Sequence, residues 1–103
     1  MKLSKSESAS TERRLIKYLT QACETAKGEI EGFVWLDHEV DYTNFPHSLM
    51  VSWAFDTREQ RDQAANGPAL ERIHQLSEIA LVDAGVPVVH IASHVRLARR
   101  DQV

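Results

Sequence analysis

The sequence predicts an α+β fold, in which helices pack on one face of a three-stranded sheet in the order helix, strand, strand, kinked helix pair, strand. Three patterns predict it: a helical period near the N-terminus, two alternating segments joined by a proline-containing turn, and a second helical run followed by a last alternating segment. The length of 103 residues is enough for one core and too short for two. We therefore expect a single domain over residues 1–103.

The first element is an amphipathic helix from about Ser10 to Gly28, with Ser8 or Ser10 as its N-cap. Residues 1–9 are small, polar and charged, so we expect them to be frayed and the folded core to span residues 10–98. The apolar residues that recur at helical spacing are Leu15, Ile16, Leu19, Ala22, Cys23, Ala26 and Ile30.

The next two elements form a predicted hairpin. Residues 33–42 and 48–55 alternate between apolar and other side chains, and the turn between them contains Pro46. Because successive side chains in a strand point to opposite faces, Trp53 is predicted to face the helices and Trp35 to point away from them. The residues assigned to the helix-covered side are Val34, Leu36, Val40, Tyr42, Leu49, Val51, Trp53 and Phe55.

The remaining elements are a kinked helix pair and a last strand. Thr57 has capping-box spacing to Gln60, the run 66–68 interrupts the helix, and Gly85 ends it after Ala84. Residues 87–97 alternate again, with the odd-numbered side buried and the even-numbered side facing solvent. A right-handed crossover permits two positions for this strand, and we favour the order second, first, third.

The composition restricts the function classes. The net charge of −3 combines a basic first segment, an acidic middle over residues 31–90 and a basic end, so it argues against a coherent basic surface for nucleic acid unless folding brings the two basic ends together. Cys23 is the only cysteine, which excludes an internal disulfide and a cysteine-rich zinc site. Nothing in the chain predicts a leader, a membrane span or a cofactor. We therefore expect a cytoplasmic protein that has no membrane partner.

Two short motifs in the sequence resemble those of known protein families. Ala65-Asn66-Gly67 falls at the break of the helix pair and resembles the Ala-x-Gly kink of ribosome-binding factor A, a class II KH-like domain. That resemblance implies an RNA- or ribosome-binding role, although the Gly-x-x-Gly loop of ordinary KH domains is absent. The run from Gly32 to Leu36, with Val40 to Tyr42 and Phe45-Pro46, looks like a small proteobacterial family of uncharacterised proteins. A Fis-like label used for some relatives implies a terminal helix-turn-helix, whereas this chain ends in a predicted strand.

The open side of the sheet is the first candidate site. It is predicted to be unusually apolar, which is typical of a protein contact such as a homodimer; the alternative is that the N- or C-terminal tail covers it. The predicted interaction face consists of Phe33, Trp35, Asp37, Met50, Ala54, His90 and His94. Candidate nucleic-acid contacts, which have an ordinary solvated surface as the alternative, are Arg13, Arg14, Lys17, Arg96, Arg99 and Arg100.

The histidines are the remaining candidates for chemistry. His90 and His94 are too far apart on a strand to share a metal ion, but each offers a pair with Asp37, Glu39 or Asp41 if the first strand is adjacent. His38 and His74 are predicted to be structural and to meet in the core. His47 is in the hairpin turn, and Cys23 is assigned to the core.

These patterns predict a binding protein whose partner is a second copy or another protein. RNA binding is the alternative, and a small hydrolytic or metal-dependent enzyme that uses His47 or His90 is the third. No residue is assigned a catalytic or metal-binding role.

Overall fold

The computed structural model describes residues 1–103 and contains three helices and one mixed sheet of three strands. This confirms the predicted α+β class and the order of its elements. The helices are α1 (Lys5–Lys27), α2 (Arg58–Asn66) and α3 (Ala69–Asp83), and the strands are β1 (Phe33–Glu39), β2 (Met50–Phe55) and β3 (Val95–Arg99). Short 3-10 turns span Ile91–His94 and Arg100–Gln102. None of the helices combines the length and the apolar character needed to cross a membrane.

The sheet order is β1-β2-β3, so the predicted order with the first strand in the centre is wrong. Strand β2 is antiparallel to β1 and parallel to β3. Residues 51–55 of β2 are all buried, whereas β1 carries the exposed charges of Asp37 and Glu39. A strand that is buried on both faces belongs in the centre, and a charged strand belongs at an edge.

Helix α1 begins at Lys5 rather than near Ser10. Ser4 caps it, because the amide of Glu7 donates to Ser4 Oγ at 3.1 Å and the Glu7 side chain accepts from the Ser4 amide at 2.9 Å. Upstream, the amide of Phe45 donates to the Met1 carbonyl at 2.8 Å. The prediction that residues 1–9 are frayed is therefore wrong.

The stop and start signals of the other helices are confirmed. Thr57 Oγ1 accepts a hydrogen bond from the Gln60 amide at 3.1 Å, and the chain breaks between α2 and α3 at Gly67. Gly85 follows α3 with φ of 81°, and its amide donates to the carbonyl of Val82. A left-handed glycine at this position is the common way to end a helix.

Phe33 lies in the core, although the alternation placed it on the open side. The register shifts between Phe33, which pairs with Phe55, and Trp35, which pairs with Ala54. This irregularity turns Phe33 toward the helices and leaves it 8% exposed, with its ring 4.9 Å from that of Trp53. A β-bulge adds one residue to a strand, so an alternation pattern cannot reveal it.

The last strand starts at Val95, eight residues later than predicted from Pro87. The amide and hydroxyl of Ser93 both bond the carbonyl of His90, which closes a local turn before the strand. His94 is consequently buried, at 6% exposure, with Nδ1 2.8 Å from the Leu49 carbonyl oxygen. The predicted solvent-facing position of His94 and the predicted burial of Val89 are both wrong, since Val89 is exposed.

Candidate functional site

A groove lies between α1 and the edge strand β1, and we call it the α1–β1 groove. Its volume is about 330 Å³. Apolar side chains from both elements lie beside charged ones, so the groove offers both contact area and polar partners. The lining residues are Ile16, Leu19, Thr20, Cys23, Glu24, Lys27, Leu36, Asp37 and His38.

The helical period explains how α1 contributes to this groove. The α1 residues between Leu15 and Ala26 that face the sheet are buried and form a stripe along the helix. Ile16 and Cys23 lie next to this stripe on the helix surface. Ile16 is 52% exposed, and Cys23 is half-buried and free. The assignment of Cys23 to the core is thus only partly correct, because its side chain also lines the groove.

Strand β1 supplies the other wall and an unpaired edge. Its only neighbour in the sheet is β2, so one side of its backbone has no strand partner. Alternate amides and carbonyls of such a strand point outward and can pair with an added strand. Leu36 and His38 are the β1 side chains that enter the groove from the helix-covered side.

A hydrogen-bonded cluster fixes His38 at one end of the groove. Glu12 on α1 accepts from Tyr42 Oη at 2.7 Å, and its two oxygens lie 3.0 and 3.2 Å from His38 Nε2. Partial burial acts to raise the pKa of Glu12, but the hydrogen bonds from Tyr42 and His38 together lower this pKa below its usual value. Burial and the bond to Glu12 raise the pKa of Tyr42. The partner of His38 is therefore Glu12, and not His74 as the sequence led us to expect.

The open side of the sheet is largely covered by the C-terminal residues. Arg96 Nε donates to Ser52 Oγ at 2.7 Å, and Arg96 Nη2 donates to the Gln102 carbonyl at 3.3 Å. The Arg100 guanidinium lies 5.9 Å from the ring centre of Trp35. Of the predicted interaction face, Phe33, Ala54 and His94 are buried, Trp35 and Met50 are half-buried, and Asp37 and His90 are exposed.

The basic residues proposed for nucleic acid are mostly engaged within the chain. Arg14 Nε donates to the Ala84 carbonyl at 2.8 Å, at the end of α3. Arg99 pairs with Asp101 at 3.4 Å, and Arg100 pairs with Asp56 at 3.0 Å. Arg13 and Lys17 are exposed on α1 without an ion pair.

The remaining histidines do not converge with carboxylates. Strand β2 separates β1 from β3, so the proposed pairs of His90 or His94 with Asp37 cannot form across neighbouring strands. His47 is exposed in the loop before β2, and no set of three histidine, cysteine or acidic side chains is close enough to hold a metal ion. His74 lies on α3, along a different groove from His38.

The pairing of Glu12 with His38 and the exposed position of Ile16 were not predicted from the sequence. The only available signal for the first was a polar residue on the buried side of β1, which demands a polar partner in the folded protein. Comparison with protein-family models, with curated proteins and with solved structures gave no significant match. The resemblances to KH-like and proteobacterial proteins therefore remain predictions.

Proposed function

We propose that this chain is a protein-binding module that holds an extended segment of a partner protein along the free edge of β1, in the α1–β1 groove. The observation that carries this proposal is that an unpaired strand edge and an open groove with apolar walls lie side by side. An extended segment can use both at once, because its backbone pairs with the strand while alternate side chains enter the groove.

The size and charge of the groove favour a particular kind of segment. A volume of about 330 Å³ is at the lower end of ligand pockets, so it accommodates one or two side chains. Ile16, Cys23 and Leu36 favour an apolar anchor. Glu24 and Asp37 outnumber Lys27 among the charged lining residues, so a basic residue next to the anchor would be favoured.

The open side of the sheet is a weaker candidate for the partner surface. Its central side chains, Ser52, Ala54 and Ala98, are buried, and the C-terminal turn contacts Trp35 through Arg100. A partner at that face would first have to displace these contacts.

RNA binding is supported less well than protein binding. Phosphate recognition needs cations that are free to pair, and Arg14, Arg99 and Arg100 already have partners within the chain. The remaining support for this alternative is the resemblance to KH-like domains that the sequence predicts.

The decisive experiment starts from a random-sequence peptide library displayed on phage. We expect the selected peptides to have an apolar anchor, to shift the backbone amide resonances of residues 33–39 of the ¹⁵N-labelled protein, and to slow the exchange of outward-facing amides in β1. Ile16→Gln should weaken binding about tenfold, because it removes apolar contact area without adding charge.

Val89→Gln is the control. Val89 is also an exposed apolar residue, at 87% exposure, but it lies in the loop before β3 and away from the groove. Its replacement should leave the affinity of the selected peptide unchanged. Resonance shifts confined to Trp35 and Met50, equal losses in the two variants, or a library that yields no binder would each refute the β1 site.

A further inference from the structure

The outward side of the helix layer combines two oppositely charged halves, and we call this surface the outer helical face. Its α1 half carries the exposed basic side chains of Arg13 and Lys17, with the exposed Glu24 two turns further along, and its α3 half carries exposed acidic side chains next to exposed apolar ones. A groove of about 560 Å³ runs along the α3 half. The residues of the outer helical face are Arg13, Lys17, Glu71, Glu78, Ile79, Val82 and Asp83.

The two halves are antiparallel and aligned along their length. Near one end, Arg14 on α1 bonds the carbonyl of Ala84, and near the other, Glu29 pairs with Arg72 at 2.9 Å. Lys17 lies three residues beyond Arg14, so it is level with the last turns of α3. The cleft between the two helices, which Tyr18 and Asp83 both line, shows the same alignment.

We propose that the outer helical face binds a second copy of this chain. The copies are related by a twofold axis parallel to the helices, so that α1 of each copy lies on α3 of the other. Rotation about this axis does not change the position of a side chain along the direction of the helices. Lys17 of one copy therefore faces the Val82–Asp83 end of α3 in the second copy, and the same contact is repeated on the other side of the axis.

Charge and apolar contact both select a second copy as the occupant. The α3 half has three carboxylates, none of which forms an ion pair within the chain, and Arg72 on the same helix is already paired with Glu29. Lys17 and Arg13 supply the opposite charge from within the same chain. Ile79 lines both the cleft toward α1 and the groove on α3, which places it close to the axis, where it meets Ile79 of the second copy.

This interface is separate from the α1–β1 groove, because Ile16 and Leu36 line one surface and Ile79 and Val82 line the other. A dimer formed in this way leaves both β1 edges free. Failure of one proposal therefore does not decide the other.

Exchanging the charges at Lys17 and Asp83 tests the proposed contact between the two copies. In sedimentation velocity of the full chain over low to high micromolar concentrations, we expect a reversible dimer that weakens as salt is raised. Lys17→Glu and Asp83→Lys should each weaken it by about tenfold or more, because each places like charges opposite one another twice. The chain that carries both substitutions should dimerise again, and a mixture of the two single variants should form a heterodimer.

Two comparisons keep the test specific. Lys2→Glu makes the same charge change at an exposed position before α1 and should leave the dimer intact. Circular dichroism establishes whether each variant is folded. A monomer at every concentration and salt, a dimer that Lys17→Glu does not weaken, or a double variant that remains monomeric while folded would overturn the proposal.

Discussion

Trp53 and Trp35 lie in adjacent strands on opposite faces of the same sheet. Trp53 is 0% exposed, packs against Phe33, and donates from Nε1 to Ser77 Oγ at 3.0 Å. Trp35 is half-buried and contacts Arg100 across the open side. One residue type thus has two environments, one determined by the helix layer and the other by the C-terminal turn.

The comparison shows that burial depends on what lies above a strand. Helix α3 supplies Trp53 with a polar partner as well as apolar contacts, since Ser77 itself donates to the Ile73 carbonyl at 2.7 Å. A buried indole N–H that lacked such a partner would lower the free energy of unfolding. Trp35 is half-buried, and the Arg100 guanidinium lies 5.9 Å from its ring centre. The stability of the domain should therefore depend much more on one tryptophan than on the other.

The largest expected effect is that of Trp53→Ala. It should lower the free energy of unfolding by about 3 to 5 kcal/mol, because it leaves a cavity and removes the partner of Ser77. Urea denaturation followed by circular dichroism measures this change. A loss similar to that of a surface substitution would mean that the helix-covered side is not the main core.

Trp35→Ala should have a smaller effect, about 1 to 2 kcal/mol, from the partial loss of buried area and of the contact with Arg100. The same denaturation experiment measures it. Arg100→Ala serves as a companion variant, since it removes the contact from the other partner and should cost less than Trp35→Ala. If Trp35→Ala were as destabilising as Trp53→Ala, the contrast between the two faces would fail.

The smallest expected effect concerns Glu12, at the margin of the helix-covered side. Its folded-state pKa is lowered, so its stabilising contribution is complete above the unfolded pKa of about 4.3 and is lost as pH falls through the folded value. Glu12→Gln should lower stability at neutral pH by about 0.5 to 1 kcal/mol, since the carboxylate is 40% exposed. Urea midpoints measured from neutral to acidic pH should show the difference from the unchanged chain disappearing, and a constant difference would contradict this assignment.

Signals that act over a few residues predicted most of the fold. Thr57 caps α2 through the Gln60 amide, and Gly85 ends α3 through a bond to Val82, both within four residues along the chain. Such contacts form wherever the local backbone forms, so the sequence contains them directly. Ser4 was not predicted as the N-cap of α1, because Ser8 and Ser10 are equally suitable residue types.

The features that the sequence did not reveal depend on distant contacts. The bulge next to Phe33 is only apparent from the register with Phe55, and the burial of His94 depends on a carbonyl at Leu49. The groove requires α1 and β1 to lie side by side, which alternation within each element does not specify. The central position of β2 has a signal in the sequence, because the run 50–55 contains no charged residue and is typical of a strand that is buried on both faces.

The free edge of β1 also affects the tendency of the protein to aggregate at high concentration. An unpaired strand next to apolar side chains is a template for uncontrolled stacking of further chains, and this hazard is usually reduced by charges along the edge. Asp37 and Glu39 have this role here, since both are exposed on β1. Asp37, which biases the groove toward basic segments, therefore also helps to protect the protein from aggregation, together with Glu39.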